Sequence, residues 1–238
     1  MGGQACILYG AAEFTRDVDL AVAVAPANLE RLRRALADLE AEQIFFPALS
    51  PLVLRRGHAC HFRSRARGMH GLRIDVMSRM RGVDAFHALW RRRQVVDLPG
   101  IGSLAVISLP DLVQAKKTQR DKDWPMIRRL LEADIVGAAG TAHPRRVAFW
   151  LRECRTFEML GDLGRRYPGP ARRVAGRRPA LRMAIRGDRR RTAAALRREE
   201  EQERERDRRY WAPLRAELER WRRERPRGPR ATMTRPSP

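Results

Sequence analysis

The stretch that most constrains the fold is Asp17-Val18-Asp19-Leu20-Ala21-Val22-Ala23-Val24, two acids at the head of an apolar, β-prone run. If this run is a strand, its side-chain period of two puts Asp17 and Asp19 on one face. Two carboxylates held that close on a rigid strand resist joint ionisation unless a cation sits between them. Hard cations such as Mg²⁺ take carboxylate oxygens together with substrate phosphates. Upstream, Gly2-Gly3 opens the apolar stretch Ala5 to Leu8, enough for about two helical turns. Bare N–H groups at a helix start attract phosphate. Each half alone is common: an Asp-x-Asp also occurs at strand ends with no metal, and a glycine pair is often only a turn. Together, on adjoining elements, they outline a nucleotide site.

The combination of Gly2-Gly3 with Thr15-Arg16-Asp17-Val18-Asp19 resembles the signature of the DNA polymerase β-like nucleotidyltransferase superfamily. It is most similar to small bacterial nucleotidyltransferase-like proteins related to abortive-infection toxins. The resemblance spans roughly residues 2–132. It implies an α+β fold, a nucleotidyltransferase-type mixed sheet flanked by helices. It also implies Mg²⁺-dependent transfer of a nucleotidyl group from an NTP to a hydroxyl, with release of pyrophosphate. Asp17 and Asp19 would then be catalytic and hold Mg²⁺, while Gly2, Gly3, Thr15 and Arg16 would lie at the nucleotide. In that superfamily a strand runs into the glycine turn, and here Met1 stands where it would end, so the expectation is either a start that lies upstream or a missing first strand.

Farther along, Gly71 to Met77 reads as a strand with Leu72, Ile74 and Val76 pointing one way and Asp75 the other. An acid on the polar face of a strand is usually just solvated. The resemblance assigns Asp75, ahead of Asp84, as the third catalytic and metal-binding carboxylate. Pro26 to Glu42 reads as a helix with Leu29, Leu32, Leu36 and Leu39 on one face. Leu52–Arg56 and Ala59–Ser64 are strand candidates around Gly57, Val83–Arg93 a helix, and Val95–Ile107 two strands turning at Pro99-Gly100. His58, Cys60 and His61 are conceivable zinc ligands, but no Cys-x-x-Cys or His-x₃-His pair supports them.

The second informative stretch begins at Ser108, where Asp111 three residues on suggests a capped helix with Pro110 in its first turn. The chain has only three lysines, Lys116, Lys117 and Lys122, and all fall here; elsewhere the cation is arginine. An ammonium is a compact point charge and a guanidinium a planar fork, so the exception suggests a phosphate contact. A solvated helix end is the plainer alternative. The resemblance places Lys116, Arg120 and Lys122 against the triphosphate or substrate and makes Asp123 a cap or salt-bridge partner.

Helices are expected over Asp123–Ala133 and Ala148–Tyr167, with a domain boundary at Gly137–Pro144 and a basic loop at Pro168–Pro179. The implied organisation is a domain over 1–140, a basic helical C-terminal extension over 141–225 and a disordered tail over 226–238. Arg197–Arg209 has no apolar residue and reads as a solvated helix, which Pro213 should kink or end. Trp211, Leu214, Leu218 and Trp221 form a stripe that must pack on something, the core or a protein partner.

Net charge is +22, and residues 141–238 carry 29 Lys and Arg against 13 Asp and Glu, leaving the remainder only +6. A surface so basic attracts nucleic acid, and with the toxin-like resemblance it implies RNA, a tRNA end included, as the acceptor. Genomic bias toward arginine is the other explanation. Three scattered cysteines suit a reducing cytoplasm, and no apolar run approaches the roughly 20 residues of a membrane span. Two rivals stand beside the enzyme: a catalytically silent nucleic-acid-binding protein of the same fold, and a toxin–antitoxin component.

Overall fold

A computed structural model describes residues 1–224 apart from Ala139 and Thr141. The expected tail lies outside the described residues. The architecture is α+β, with a mixed sheet and a long C-terminal helix.

The chain enters through α1 (Gly2–Leu8) and reaches β1 (Asp17–Ala21). Next come α2 (Pro26–Asp38), β2 (Ala41–Gln43), α3 (Pro51–Arg56), β3 (Cys60–Ser64) and β4 (Arg73–Met77). The sheet order is β1-β4-β3-β2, with β1 parallel to β4 and the other pairs antiparallel. Among the described residues, β1 has no strand partner on its outer side. One face of the sheet is apolar: Cys60, Phe62, Ile74 and Val76 are buried with Leu29, Leu32 and Leu36 of α2. Burying each such leucine contributes about 1.5–3 kcal/mol.

Two expectations here change. α2 ends at Asp38, not Glu42, because Glu40 takes φ +46 and turns the chain into β2, which pairs with β3. Residues 51–56 are helical, not a strand. Ser50 accepts a hydrogen bond from the Val53 N–H (3.2 Å), Pro51 occupies the first turn, and Gly57 at φ +100 closes the helix. These start and stop signals set a helix where the short apolar run suggested a strand.

A helix, α4 (Phe86–Arg92), and the hairpin β5 (Gln94–Leu98) with β6 (Gly102–Val106) then lead to α5 (Leu109–Lys116). Ser108 caps α5 as expected, its hydroxyl accepting from the Asp111 N–H and donating to the Asp111 carboxylate (2.6 Å). α6 (Asp123–Gly137) follows, and a cluster of short helices comes after it: α7 (Pro144–Glu153), α8 (Phe157–Arg166), α9 (Pro168–Ala175) and α10 (Pro179–Ile185). One apolar core continues from α1, α5 and α6 through these helices to Leu196.

The single helix expected over 148–167 is two, broken at Cys154–Thr156, and the expected basic loop contains α9. Buried Arg178 explains the break. It donates to the carbonyls of Leu151 and Cys154 (both 2.8 Å), which the helix end leaves open, and pairs with Glu199 (2.9 Å).

The last helix, α11 (Arg189–Glu224), runs 36 residues through Pro213 without ending there. Its apolar-free stretch is not wholly solvated either. Asp207 is 2% exposed, accepting from the Gln119 N–H (3.0 Å) and pairing with Arg81 (3.2 Å), and Glu203 also pairs with Arg81 (3.0 Å). Packing through ion pairs holds this segment where no apolar stripe exists.

Candidate active site

Parallel pairing sets β1 against β4 in the register Asp17 to Arg73 and Asp19 to Asp75. Neighbouring strands lie about 4.8 Å apart, so the acids of both strands meet on one face. The opposite face carries Ile74 and Val76 into the core, which fixes the register, since a one-residue slip would bury the acids.

The glycine pair has a steric task. Gly2 sits at φ +60 against the Asp19 carboxylate, and a Cβ on it would overlap Asp19 Oδ2. Gly3 lies as tightly against the Thr15 hydroxyl. α1 therefore rests directly on β1 and the turn before it.

Asp75 is 9% exposed and held through one oxygen: His61 Nδ1 lies 2.8 Å from Oδ1, and Arg73 Nε donates to the same oxygen at 2.9 Å. Burial works to raise its carboxyl, and the hydrogen bonds from His61 and Arg73 outweigh it, leaving the group below its ordinary value. The bond to Asp75 in turn raises the Arg73 guanidinium, which also feels Asp17 and Asp19. By contrast, the Asp17 and Asp19 carboxylates have no hydrogen bond or ion pair among the described residues.

The acids open on a cavity of about 730 Å³. Gly2, Gly3 and Thr15 line it on one side, and Lys116, Arg120 and Lys122 on another. The expected residues are therefore brought together, with one exception. Arg16 is exposed outside the cavity lining, its guanidinium over the Phe14 ring at 5.9 Å.

The cations differ in availability. Lys116 (3.3 Å) and Arg120 (2.8 Å) share the carboxylate of Asp123, 1% exposed, which also accepts from the Thr118 hydroxyl (2.6 Å). Asp123 is thus a salt-bridge partner. Burial acts to raise its carboxyl, and Thr118, Lys116 and Arg120 together lower it. Lys117 is tied to Glu153 of α7 (2.9 Å), whereas Lys122 has no partner among the described residues. Asp84 is exposed and pairs with Arg92 (2.8 Å), away from the cavity.

Could these acids hold a divalent ion? Asp17 and Asp19 fit one: two unpaired carboxylates sharing a face beside an open cavity. One oxygen of Asp75, Oδ1, is taken by Arg73 and His61, whereas Oδ2 has no partner among the described residues. Among the described residues no group of three His, Cys, Asp or Glu side chains is placed to hold a metal. A zinc site at His58, Cys60 and His61 is excluded by strand alternation. Cys60 points into the core, His61 faces Asp75, and His58 is buried against Glu217 (2.7 Å).

Two contributions escaped the sequence reading. His61 was weighed only as a zinc ligand, yet it is cross-strand to Asp75 and lines the cavity. The wall opposite the sheet is α11, through Trp211, Leu214, Arg215, Leu218 and Arg222. The Trp211–Trp221 stripe is therefore split, Trp221 packing on the sheet core and on the His58 ring (5.0 Å) and the others facing the cavity.

Among the described residues no helix is long and apolar enough to cross a membrane. No protein-family model matches the chain, and no curated protein matches it at a significant level.

Proposed function

We propose that the protein is a Mg²⁺-dependent nucleotidyltransferase that moves a nucleotidyl group from an NTP to a hydroxyl, with RNA as the acceptor. The observation that carries this reading is the register placing Asp19 opposite Asp75, with Asp17 on the same face, beside a cavity that also presents Lys116, Arg120 and Lys122. The basic C-terminal part supports a polyanionic acceptor.

In this reading the acceptor oxygen attacks the α-phosphorus. The bond from that phosphorus to the bridging oxygen of the β-phosphate breaks, and pyrophosphate leaves. The acceptor proton passes to the Asp75–His61 pair: Asp75 fixes the imidazole through Nδ1, and the other ring nitrogen has no partner among the described residues. Asp17 and Asp19 would hold Mg²⁺, which when bound stabilises charge on phosphate oxygens. Lys122, with Lys116 and Arg120 behind it, offsets negative charge building on the leaving phosphates. Gly2 and Gly3 let α1 approach the acids without a side chain in the way.

The test is label transfer from an α-labelled NTP to RNA. Asp17→Asn with Asp19→Asn is expected to abolish it and to remove thermal stabilisation by Mg²⁺ and ATP; full activity in the double variant sinks the assignment. A second reading, binding without transfer, is favoured by the ion pair that Arg73 makes with Asp75. It requires salt-sensitive RNA binding and no stabilisation of the wild type by any NTP.

A further inference from the structure

Positions 211, 215, 218 and 222 of α11 all line the carboxylate cavity. Their spacing of four, three and four puts them on one helical face. Trp211 and Leu218 are seven residues apart, as are Arg215 and Arg222. An apolar pair and a cationic pair thus run side by side, each over about 10.5 Å of helix.

Neither arginine has an ion pair or hydrogen bond among the described residues, whereas Arg204, Arg206, Arg208, Arg209 and Arg220 of the same helix each pair with an acid. Arg79 and Lys122, which also line the cavity, are likewise without an ion pair or hydrogen bond among the described residues.

The helix is fixed on both sides of this face. Asp207 binds Gln119 and Arg81, and Glu217 binds His58 Nε2 (2.7 Å) and Arg56. The unpaired arginines are therefore presented by an anchored wall, and neither holds the wall in place. A groove that interleaves flat or apolar side chains with cations suits single-stranded nucleic acid, whose bases stack while its phosphates pair with charge.

We propose that the inner face of α11 is the acceptor track. The end of a single-stranded polynucleotide lies along it, with a base against Trp211 and Leu218 and phosphates on Arg215 and Arg222. That directs the terminal hydroxyl toward Asp75 and the Asp17–Asp19 pair. The proposal rests on the transferase reading for its chemistry, although strand binding itself needs neither NTP nor metal. The competing surface is the outer side of α9, where exposed Arg172 and Arg173 have no ion pair among the described residues and do not line the cavity.

Fluorescence anisotropy with labelled RNA and DNA strands of about 12 nucleotides, on the full chain, separates the two surfaces. Arg215→Gln with Arg222→Gln is expected to weaken the tighter-bound strand at least tenfold. It should also flatten the slope of log K against log salt by about 1.4, two phosphate contacts' worth. Arg172→Gln with Arg173→Gln should leave both unchanged, and the tighter strand names the sugar. Unaltered binding in the α11 double variant, or the loss falling on the α9 variant, overturns the proposal. Stabilisation by Mg²⁺ and ATP, measured on the same proteins, should survive in the α11 variant. If the wild type lacks it, the transferase reading fails by itself, whatever the anisotropy shows.

Discussion

Gly2 abuts the Asp19 carboxylate so closely that no side chain fits between them, and its φ of +60 lies where L-residues are strained. The glycine pair is thus a contact surface between α1 and β1. Gly2→Ala is expected to push Asp19 from its place and to add about 1–2 kcal/mol of backbone strain. Thermal melts should show a modest fall in Tm, and NTP-dependent label transfer a far larger loss. Wild-type transfer in a folded Gly2→Ala protein would count against Asp19 as a site residue.

Arg73 pairs with Asp75 and also feels Asp17 and Asp19. Replacing it by Gln removes the guanidinium that helps hold the Asp75 carboxyl low, so that group should move up toward its ordinary value, His61 still opposing the shift. The face then carries three acids and one fewer cation, and Mn²⁺ should bind more tightly, by about tenfold for each 1.4 kcal/mol gained. Titration calorimetry reads this directly; unchanged affinity would show that Arg73 does not compete for the carboxylates.

Asp207 is the buried acid that ties α11 to Gln119 of the loop before α6 and to Arg81 beyond β4, and it also accepts from the Trp211 indole N–H of its own helix (3.1 Å). Asp207→Ala leaves Arg81, 11% exposed, with Glu203 as its one acidic partner among the described residues. A loss of about 3–5 kcal/mol is expected from breaking a buried pair. Limited proteolysis should cut α11 of this variant well before the rest of the chain.

Asp123 and Asp75 both titrate below the ordinary carboxylate value of 3.8 in the folded chain. A depressed folded value means the stabilisation is present above 3.8 and is lost as pH falls through the lower, folded values. Asp123→Asn should therefore lower Tm at neutral pH, by the equivalent of about 2 kcal/mol for a charge-assisted hydrogen-bonded group. The gap to wild type should narrow as pH falls below 3.8. A difference that stays constant with pH would show that the charge on Asp123 is not what stabilises.

Local pattern in the sequence was enough to mark the acidic strand, the strand around Asp75, the capped helix at Ser108 and the lone cluster of lysines, because alternation, caps and composition act over a few residues. Those same signals placed Asp17 and Asp19 on one face. The α3 helix was written there too, in Ser50-Pro51 and Gly57. What pairs with what was not written locally. Although Arg73 with Asp75, and Lys116 and Arg120 with Asp123, pair within seven residues, the register that sets Asp19 opposite Asp75 and the approach of His61 to Asp75 depend on strands distant in the chain meeting in space. The same holds for α11. Its polar stretch looks solvated in isolation and is held down only because Arg81 and Gln119 arrive beneath it, so only the tertiary structure could decide that the C-terminal helix is a wall of the cavity.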